Sequence, residues 1–511
     1  MNDNNELLVE IAKLKQINFL LEEKVRTLTE ALFGKKSEKT KIDEGPSLFD
    51  EAEYIINTNK EPPVETETVT YVRKKPKKGG RKPIPDHFPR TEVVLDIPEE
   101  EKVCACGCQM EKISEECSEK LDIIPAKIEV VRTIRPKYAC KSCDGVESEG
   151  IHPAVKIAPV KPSVLPKTIC SSSLLAYILI NKFCDGLPFY RQEKLFSRIG
   201  IEINRGSMAR WSVSAYENIK DFFGLMKDEL LKSYMIGIDE TRVQVLKEDG
   251  KTAESQSYMW VYRGVRDKKV VILFQYDRSR SGYVPDQFLS EYKGAIQTDG
   301  YGGYNLIAKS PDITRYGCWA HARRRFVVAN DKTTYGEIAG RFVGLINKLY
   351  HEERILRESE SPPGRITKVR IDICLPVLHE IKSLANEYRD KVLPSSNLSK
   401  AIEYMLGEWP TLEKYIYDGN ITIDNNLVEN SIRPFVVGRK NWLFYDSPEG
   451  AEASACFYSL IETAKANGIE PYSYLYYIFD EIPKCKDNTE LEKLTPANID
   501  RSKIKPYEIR R

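Results

Sequence analysis

Met235-Ile236-Gly237-Ile238-Asp239 and Ala295-Ile296-Gln297-Thr298-Asp299 are two apolar runs that each stop on an aspartate. Short apolar runs bounded by turn residues read as buried strands, and Gly300-Tyr301-Gly302-Gly303 supplies the turn after the second. Between them lie three more strand candidates, 242–246, 258–264 and 270–276. A helix-like stretch around Asp286, Gln287, Phe288 and Leu289 precedes the strand that ends at Asp299.

Three strands, a helix and a fourth strand follow the order of a ribonuclease-H-like α/β sheet, which predicts Asp239 and Asp299 at adjacent strand ends. A third acid, Glu429, lies in Asp424-Asn425-Asn426-Leu427-Val428-Glu429-Asn430, which reads as a helix start. Two carboxylates from strand ends and one from a helix are oxygen-only donors. They suit a pair of Mg²⁺ ions on one phosphate, and therefore phosphoryl transfer on DNA or RNA.

The interval from 320 to about 409 reads as helices interrupted near Pro362-Pro363. This predicts a helical insertion at about 320–415 within a catalytic domain spanning 233–450, followed by a helical cap and tail at 451–511. Asn426 and Arg433 stand three residues before and four after Glu429, on its helix face. Asn426 is expected to orient the carboxylate and Arg433 to hold phosphate. The stretch from Cys318 to Phe326 is basic and aromatic, with Arg323 and Arg324 as DNA contacts. Cys318 and His321 alone are too few ligands for a metal site and read as packing or DNA contacts. Arg439, Lys440 and Trp442 interleave cations with an aromatic ring, which suits nucleic acid. A strand or loop packing its aromatics inward is the competing reading.

The rest of the chain extends the DNA theme. A length of 511 residues predicts roughly three to four domains. Net charge is +1, so the cations are bunched rather than general. No run approaches the 18 apolar residues of a membrane span, and the first residues carry no basic segment of a secretory signal. A cytoplasmic, nucleoid-associated protein is expected. In residues 1–34, Leu7, Ile11, Leu14, Asn18, Leu21, Val25, Leu28 and Leu32 alternate at spacings of four and three. This is a coiled-coil seam, and Asn18 at an a position suits a parallel dimer. Residues 35–98 form a polar linker holding Arg73, Lys74, Lys75, Lys77, Lys78, Arg81 and Lys82, seven cations in eleven residues. Such a run gains affinity for phosphate backbones by releasing counterions.

Of twelve cysteines, six fall between Cys104 and Cys143, which favours a reduced protein with one metal site over a disulfide framework. Cys140 and Cys143 with two of Cys104, Cys106 and Cys108 suit a structural Cys₄ Zn²⁺ ribbon in a 99–150 module. Cys117, nine residues beyond Cys108, is the weaker choice. Residues 127–135 have strand character. Residues 151–232 read as a helical domain. In it, 189–198 and a helix capped by Asn204 and bearing Arg205 and Arg210 resemble a DNA-reading helix-turn-helix, and two packed helices of an all-α domain fit the same pattern equally well.

At this point the chain resembles the DDE transposases of insertion-sequence family sixty-six. The resemblance rests on Ile238-Asp239-Glu240-Thr241, Gln297-Thr298-Asp299-Gly300-Tyr301 and Gly317-Cys318-Trp319-Ala320-His321-Ala322-Arg323-Arg324. Asp424-Asn425-Asn426 through Glu429 to Ile432-Arg433-Pro434, and Gly438-Arg439-Lys440-Asn441-Trp442-Leu443-Phe444, extend it. So does the order zipper, zinc finger, helical domain, catalytic domain and C-terminal cap. The compressed Cys104-Ala105-Cys106 departs from the usual wider cysteine spacing. The resemblance implies that Asp239, Asp299 and Glu429 are the catalytic triad. They would hold two Mg²⁺ ions, with Mn²⁺ as a substitute, to cut transposon ends and join the freed 3′-OH to target DNA. Double-stranded DNA, a homodimer or higher oligomer through the coiled coil, and accessory proteins of the same element are the implied partners. A structure-specific nuclease without joining and a catalytically inactive DNA-binding repressor are the rival readings.

Overall fold

The computed structural model describes residues 128–139, 155–330 and 335–504. The zipper, the basic run from Arg73 to Lys82 and the cysteines from Cys104 to Cys143 lie outside the described residues. The described residues fall into two compact units, divided between 158 and 159. In the first, β1 (Lys137–Ala139) pairs antiparallel with β2 (Val155–Ile157). The strand therefore starts later than 127–135, and the helical domain starts after 151. A strand needs a partner, and the three residues of β2 reach only Lys137–Ala139.

The second unit opens with four helices: α1 (Ser172–Phe183), α2 (Phe189–Arg198), α3 (Arg205–Asn218) and α4 (Lys220–Leu231). Ser171 caps α1 by accepting from the Leu174 N–H, and Asn204 caps α3 by accepting from the Ser207 N–H. Gly200, at φ +80°, makes the turn after α2 that a side chain would oppose. Ile178, Phe196, Ile203 and Met208 pack α2 and α3 onto α1, which leaves Arg205 and Arg210 exposed.

Next come β3 (Met235–Gln244), β4 (Gln256–Arg266), β5 (Lys269–Asp277), α5 (Tyr283–Phe288), β6 (Gly294–Gln297) and β7 (Ile313–Tyr316). The sheet order is β5-β4-β3-β6-β7. The first three strands form an antiparallel meander, while β6 runs parallel to β3 and β7 parallel to β6. One expectation is corrected here. The runs 235–239 and 242–246 are not two strands, because β3 continues through Asp239 and Glu240 with β4 paired from Ile236↔Gly264 to Gln244↔Gln256. A charged pair reads as a turn in the sequence. Here both acids are buried inside the strand.

A helical insertion follows: α6 (Trp319–Ala329), α7 (Gly336–Glu358), α8 (Pro363–Val369), a π-helical turn (Arg370–Cys374), α9 (Leu375–Tyr388) and α10 (Asn397–Leu412). It has a core of its own, built from residues such as Phe326, Phe342, Leu378, Ile402 and Trp409. The break predicted near Pro362-Pro363 separates α7 from α8. The chain then returns to the sheet through α11 (Asn426–Trp442), and α12 (Pro448–Ala466), α13 (Pro471–Glu481) and α14 (Asn488–Glu492) complete it.

The helices before the sheet and after it are not separate bodies. Leu179, Phe222, Phe274, Phe435, Phe457 and Phe479 belong to one core. A sheet edge explains why α12 lies where it does. β5 is an edge strand, whose unpaired backbone groups are a liability. Ser459 and Thr463 on α12 and Asn467 at its C-cap, each one turn apart, satisfy them. The Phe274 N–H donates to Ser459 Oγ (2.7 Å), the Ile272 N–H to Thr463 Oγ1 (3.0 Å) and the Val270 N–H to Asn467 Oδ1 (3.1 Å). Thr463 Oγ1 and Asn467 Nδ2 donate in return to the Ile272 and Val270 carbonyls. Thr463→Val keeps the shape and strands both Ile272 groups, so it is expected to cost about 1–3 kcal/mol in urea denaturation. An unchanged midpoint would refute this edge-capping role. No helix among the described residues is long and apolar enough to cross a membrane.

Candidate active site

The parallel register of β3 and β6 sends both aspartates towards the same end of the sheet. The last pair is Gly237↔Gln297; Asp239 stands two residues further along β3, and Asp299 two residues past the end of β6. Past that pair the Ile238 carbonyl accepts a hydrogen bond from Asn425 Nδ2 (3.0 Å). Asn425 is the residue before α11, so this bond seats the start of that helix on β3. Gly237 permits the approach: a Cβ there would lie 2.8 Å from Asn425 Oδ1 and 3.3 Å from Val428 Cβ. Glu429, in the first turn of α11, is thereby carried to the aspartates' end of the sheet. Asp239 and Glu429 are both buried.

The loop of Asp299 is held from several sides. Its Oδ1 accepts from the Tyr301 N–H (2.9 Å), and the Gly300 N–H donates to Tyr404 Oη (3.1 Å) on α10. Arg315 on β7 donates to Thr298 Oγ1 (2.9 Å), Asn305 Oδ1 (2.9 Å), the Asp299 carbonyl (2.6 Å) and Glu408 on α10 (2.8 Å). Sequence reading missed Arg315, since nothing local marks it. Lysine cannot reproduce this planar fork. Arg315→Lys is expected to destabilise the protein by about 1–3 kcal/mol in urea denaturation, by leaving groups of the Asp299 loop unpaired. An equal midpoint in both proteins would show that the loop needs no such clamp.

Glu240, next to Asp239, is a second residue the sequence reading left without a role. Arg280 donates to its Oε1 through Nε (2.8 Å) and Nη2 (2.7 Å), and the Tyr304 hydroxyl donates to its Oε2. Burial, followed by the nearby Asp299 charge, pushes the Glu240 carboxyl above the ordinary carboxylate range. Arg280 also stacks on Tyr301, 4.1 Å from the ring centre, and accepts from the Tyr301 hydroxyl at its own carbonyl (2.7 Å). Glu240, Arg280 and Tyr301 thus link the two aspartate-bearing segments.

Several expectations are corrected. Asn426 does not orient Glu429: its Nδ2 donates to Asp424 Oδ2 (2.8 Å), in a turn made by Asp424 itself. Arg324 lies 3.4 Å from Glu429 Oε2, with its side chain 12% exposed. Cys318 and His321 are not an isolated pair, because Glu429 completes a buried cluster with them. Trp442 lies at the end of helix α11, not in a strand or loop, and packs edge-on against Phe183 and beside Tyr458. Lys440 is exposed. Arg439 donates to Thr241 Oγ1 (3.2 Å), and Arg323 to Asn347 Oδ1 (2.8 Å). Arg433 is half-buried on α11.

A five-stranded sheet packed with helices makes this an α/β domain. Among the described residues, the ligand atoms gathered within 4.8 Å of one another are those of Cys318, His321 and Glu429, not those of the three carboxylates together. As oxygen donors, Asp239, Asp299 and Glu429 would suit a hard cation. The chain belongs to the Transposase IS66 family, whose model matches residues 167–453. The zinc-finger binding domain of transposase IS66 matches 101–144, the IS66 C-terminal element 459–497, and the Transposase C of IS166 homeodomain 20–93. Divalent-metal use and a zinc-binding module follow from these families. The uncharacterized protein y4jD of Sinorhizobium fredii is 30% identical over 430 residues, covering 81% of each chain. The uncharacterized protein y4qI of the same organism is 29% identical over 518 residues, covering 96% of this chain and 92% of the relative.

Proposed function

We propose that this transposase cuts the ends of an insertion sequence and joins them to target DNA, with Asp239, Asp299 and Glu429 as its catalytic carboxylates. The observation that supports the reading is the register: β3 and β6 run parallel towards Asp239 and Asp299, and Asn425 holds the start of the Glu429 helix on the Ile238 carbonyl. The sheet order, an antiparallel meander followed by two parallel strands, supports a ribonuclease-H-like core. Divalent metal held by the three carboxylates would neutralise the scissile phosphate and activate the attacking water or 3′-OH. The protein's own part is placement. Asn425 and Gly237 set Glu429, Arg315 and Tyr404 set Asp299, and no residue need bond covalently to DNA.

The DNA-binding surface belongs to the same proposal. Arg205 and Arg210 are exposed on the second helix of a helix-turn-helix-like pair, and Lys440 is exposed at the end of α11. The basic run Arg73 to Lys82 would add backbone contacts, the zipper would pair two copies, and a Cys₄ zinc drawn from Cys104, Cys106, Cys108, Cys140 and Cys143 would brace the 99–150 module.

The test is an in vitro reaction with labelled element-end DNA, a target plasmid and Mg²⁺, comparing the wild type with Asp299→Ala. End cleavage and joined product, both lost in the variant, are expected. Cleavage without joining would favour a nuclease. Specific end binding with no cleavage by either protein would favour a repressor.

A further inference from the structure

Cys318, His321 and Glu429 each offer a ligand atom, and the three atoms lie within 4.8 Å of one another. They come from two helix starts stapled together. Cys318 precedes α6 and His321 is in its first turn, three residues on, while Glu429 is in the first turn of α11. The Asn425 N–H donates to Cys318 Sγ (3.3 Å), and the Trp319 N–H to the Ile423 carbonyl (3.2 Å). All three side chains are buried. A tetrahedral zinc site, with bonds of about 2.0–2.3 Å, sets its ligand atoms about 3.3–3.8 Å apart. His321 Nδ1 and Glu429 Oε1 are already 3.5 Å apart, so closure asks only a small movement of the Cys318 sulfur. Arg324 pairs with the other oxygen, Oε2, and so leaves Oε1 on the side of His321.

The donor set chooses the metal. Sulfur and imidazole nitrogen suit Zn²⁺ and its transition-metal neighbours, whereas Mg²⁺ takes oxygen alone. Three protein ligands leave the fourth tetrahedral position open. Glu429 belongs to both sets; with Oε1 on zinc beside His321 and Oε2 paired with Arg324, neither oxygen is left for the Mg²⁺ of the aspartates. We propose that Cys318, His321 and Glu429 form a second, zinc-type site that withdraws Glu429 from the Mg²⁺-binding carboxylates, so that zinc held there switches strand cleavage off. The inhibitory half rests on the catalytic reading of Glu429; zinc binding itself does not.

The experiment measures zinc bound per chain in the full-length protein, dialysed at a fixed buffered free zinc concentration. Wild type, Cys318→Ser and His321→Gln are compared, since either variant alone could disturb packing. The wild type is expected to hold one equivalent more than either variant, the zinc-finger equivalent being common to all. Equal zinc in all three proteins would overturn the site. In parallel, zinc is titrated into Mg²⁺-driven cleavage, each protein being scaled to its own zinc-free rate. Inhibition of the wild type should need at least tenfold less zinc than inhibition of Cys318→Ser, and added Mg²⁺ should relieve it. Equal inhibition of both would overturn the switch. A wild type that binds the extra equivalent yet never cleaves would leave the site standing and remove the transposition reading instead.

Discussion

Gly237→Val is expected to slow strand cleavage and joining about a hundredfold, and Gly237→Ala about tenfold, at little change in melting temperature. Gly237 lies inside β3, where a β-branched residue is ordinarily favoured. What forbids one here is the helix above it. Alanine's Cβ would stand 2.8 Å from Asn425 Oδ1 and 3.3 Å from Val428 Cβ. Asn425 cannot simply swing away. It is buried, and its Nδ2 holds the Ile238 carbonyl beside Asp239. The first turn of α11 must therefore lift, and Glu429 lifts with it. A displacement near 1 Å at a reacting centre can cost about a hundredfold. Valine adds two methyls on the same vector, hence the graded series. The check is a single-turnover cleavage assay beside circular-dichroism melting. Rates equal to wild type in both variants would show that this contact does not seat the helix.

The same segment shows where sequence reasoning reaches and where it stops. Local signals are legible because their cause is local. The Asn204 cap, the turn at Gly200, helix Phe189–Arg198 and the break before Pro363 each depend on neighbours a few residues away. Strands 258–264 and 270–276 were readable for the same reason, and they fall within β4 and β5. Asp299 and Glu429 stand at real changes of pattern, past the end of β6 and in the first turn of α11, whereas Asp239 lies inside β3. Misreading began where a distant partner changes what a residue means. Asp239-Glu240 read as a strand end because the sequence does not display Arg280 and Tyr304, which accommodate Glu240 inside the sheet. Cys318 and His321 looked too few for a ligand set because the third member, Glu429, is 108 residues (429 − 321) from His321. Arg315 and the Ser459, Thr463 and Asn467 ladder carry no motif at all. Their roles exist only once β7 meets α10 and α12 meets β5.

Arg370→Met is expected to destabilise the protein by about 3–5 kcal/mol, the largest loss foreseen for any single change in the insertion. Arg370 opens the π-helical turn Arg370–Cys374 and is 2% exposed. Its guanidinium makes five hydrogen bonds, as many as it has N–H donors. Nε and Nη2 grip the two oxygens of buried Glu353 at 2.7 and 2.9 Å. Nη1 donates to the carbonyls of Tyr415 (2.7 Å) and Asp418 (2.8 Å), and Nη2 to that of Ile421 (2.8 Å). Methionine fills much of the volume but leaves a buried carboxylate uncompensated and three carbonyls unsatisfied. The first of these dominates, because an orphaned buried charge costs more than any one lost neutral hydrogen bond. Pairing the change with Glu353→Met removes that charge and should recover roughly half of the loss, the carbonyls accounting for the remainder. Function should follow stability here. The three carbonyls belong to 415–421, the segment that leads directly into Asp424, Asn425 and Glu429. Urea denaturation of the two single variants and the double variant measures the coupling. Additive losses, with no recovery in the double variant, would mean that Arg370 acts through its backbone contacts alone and that the ion pair contributes nothing.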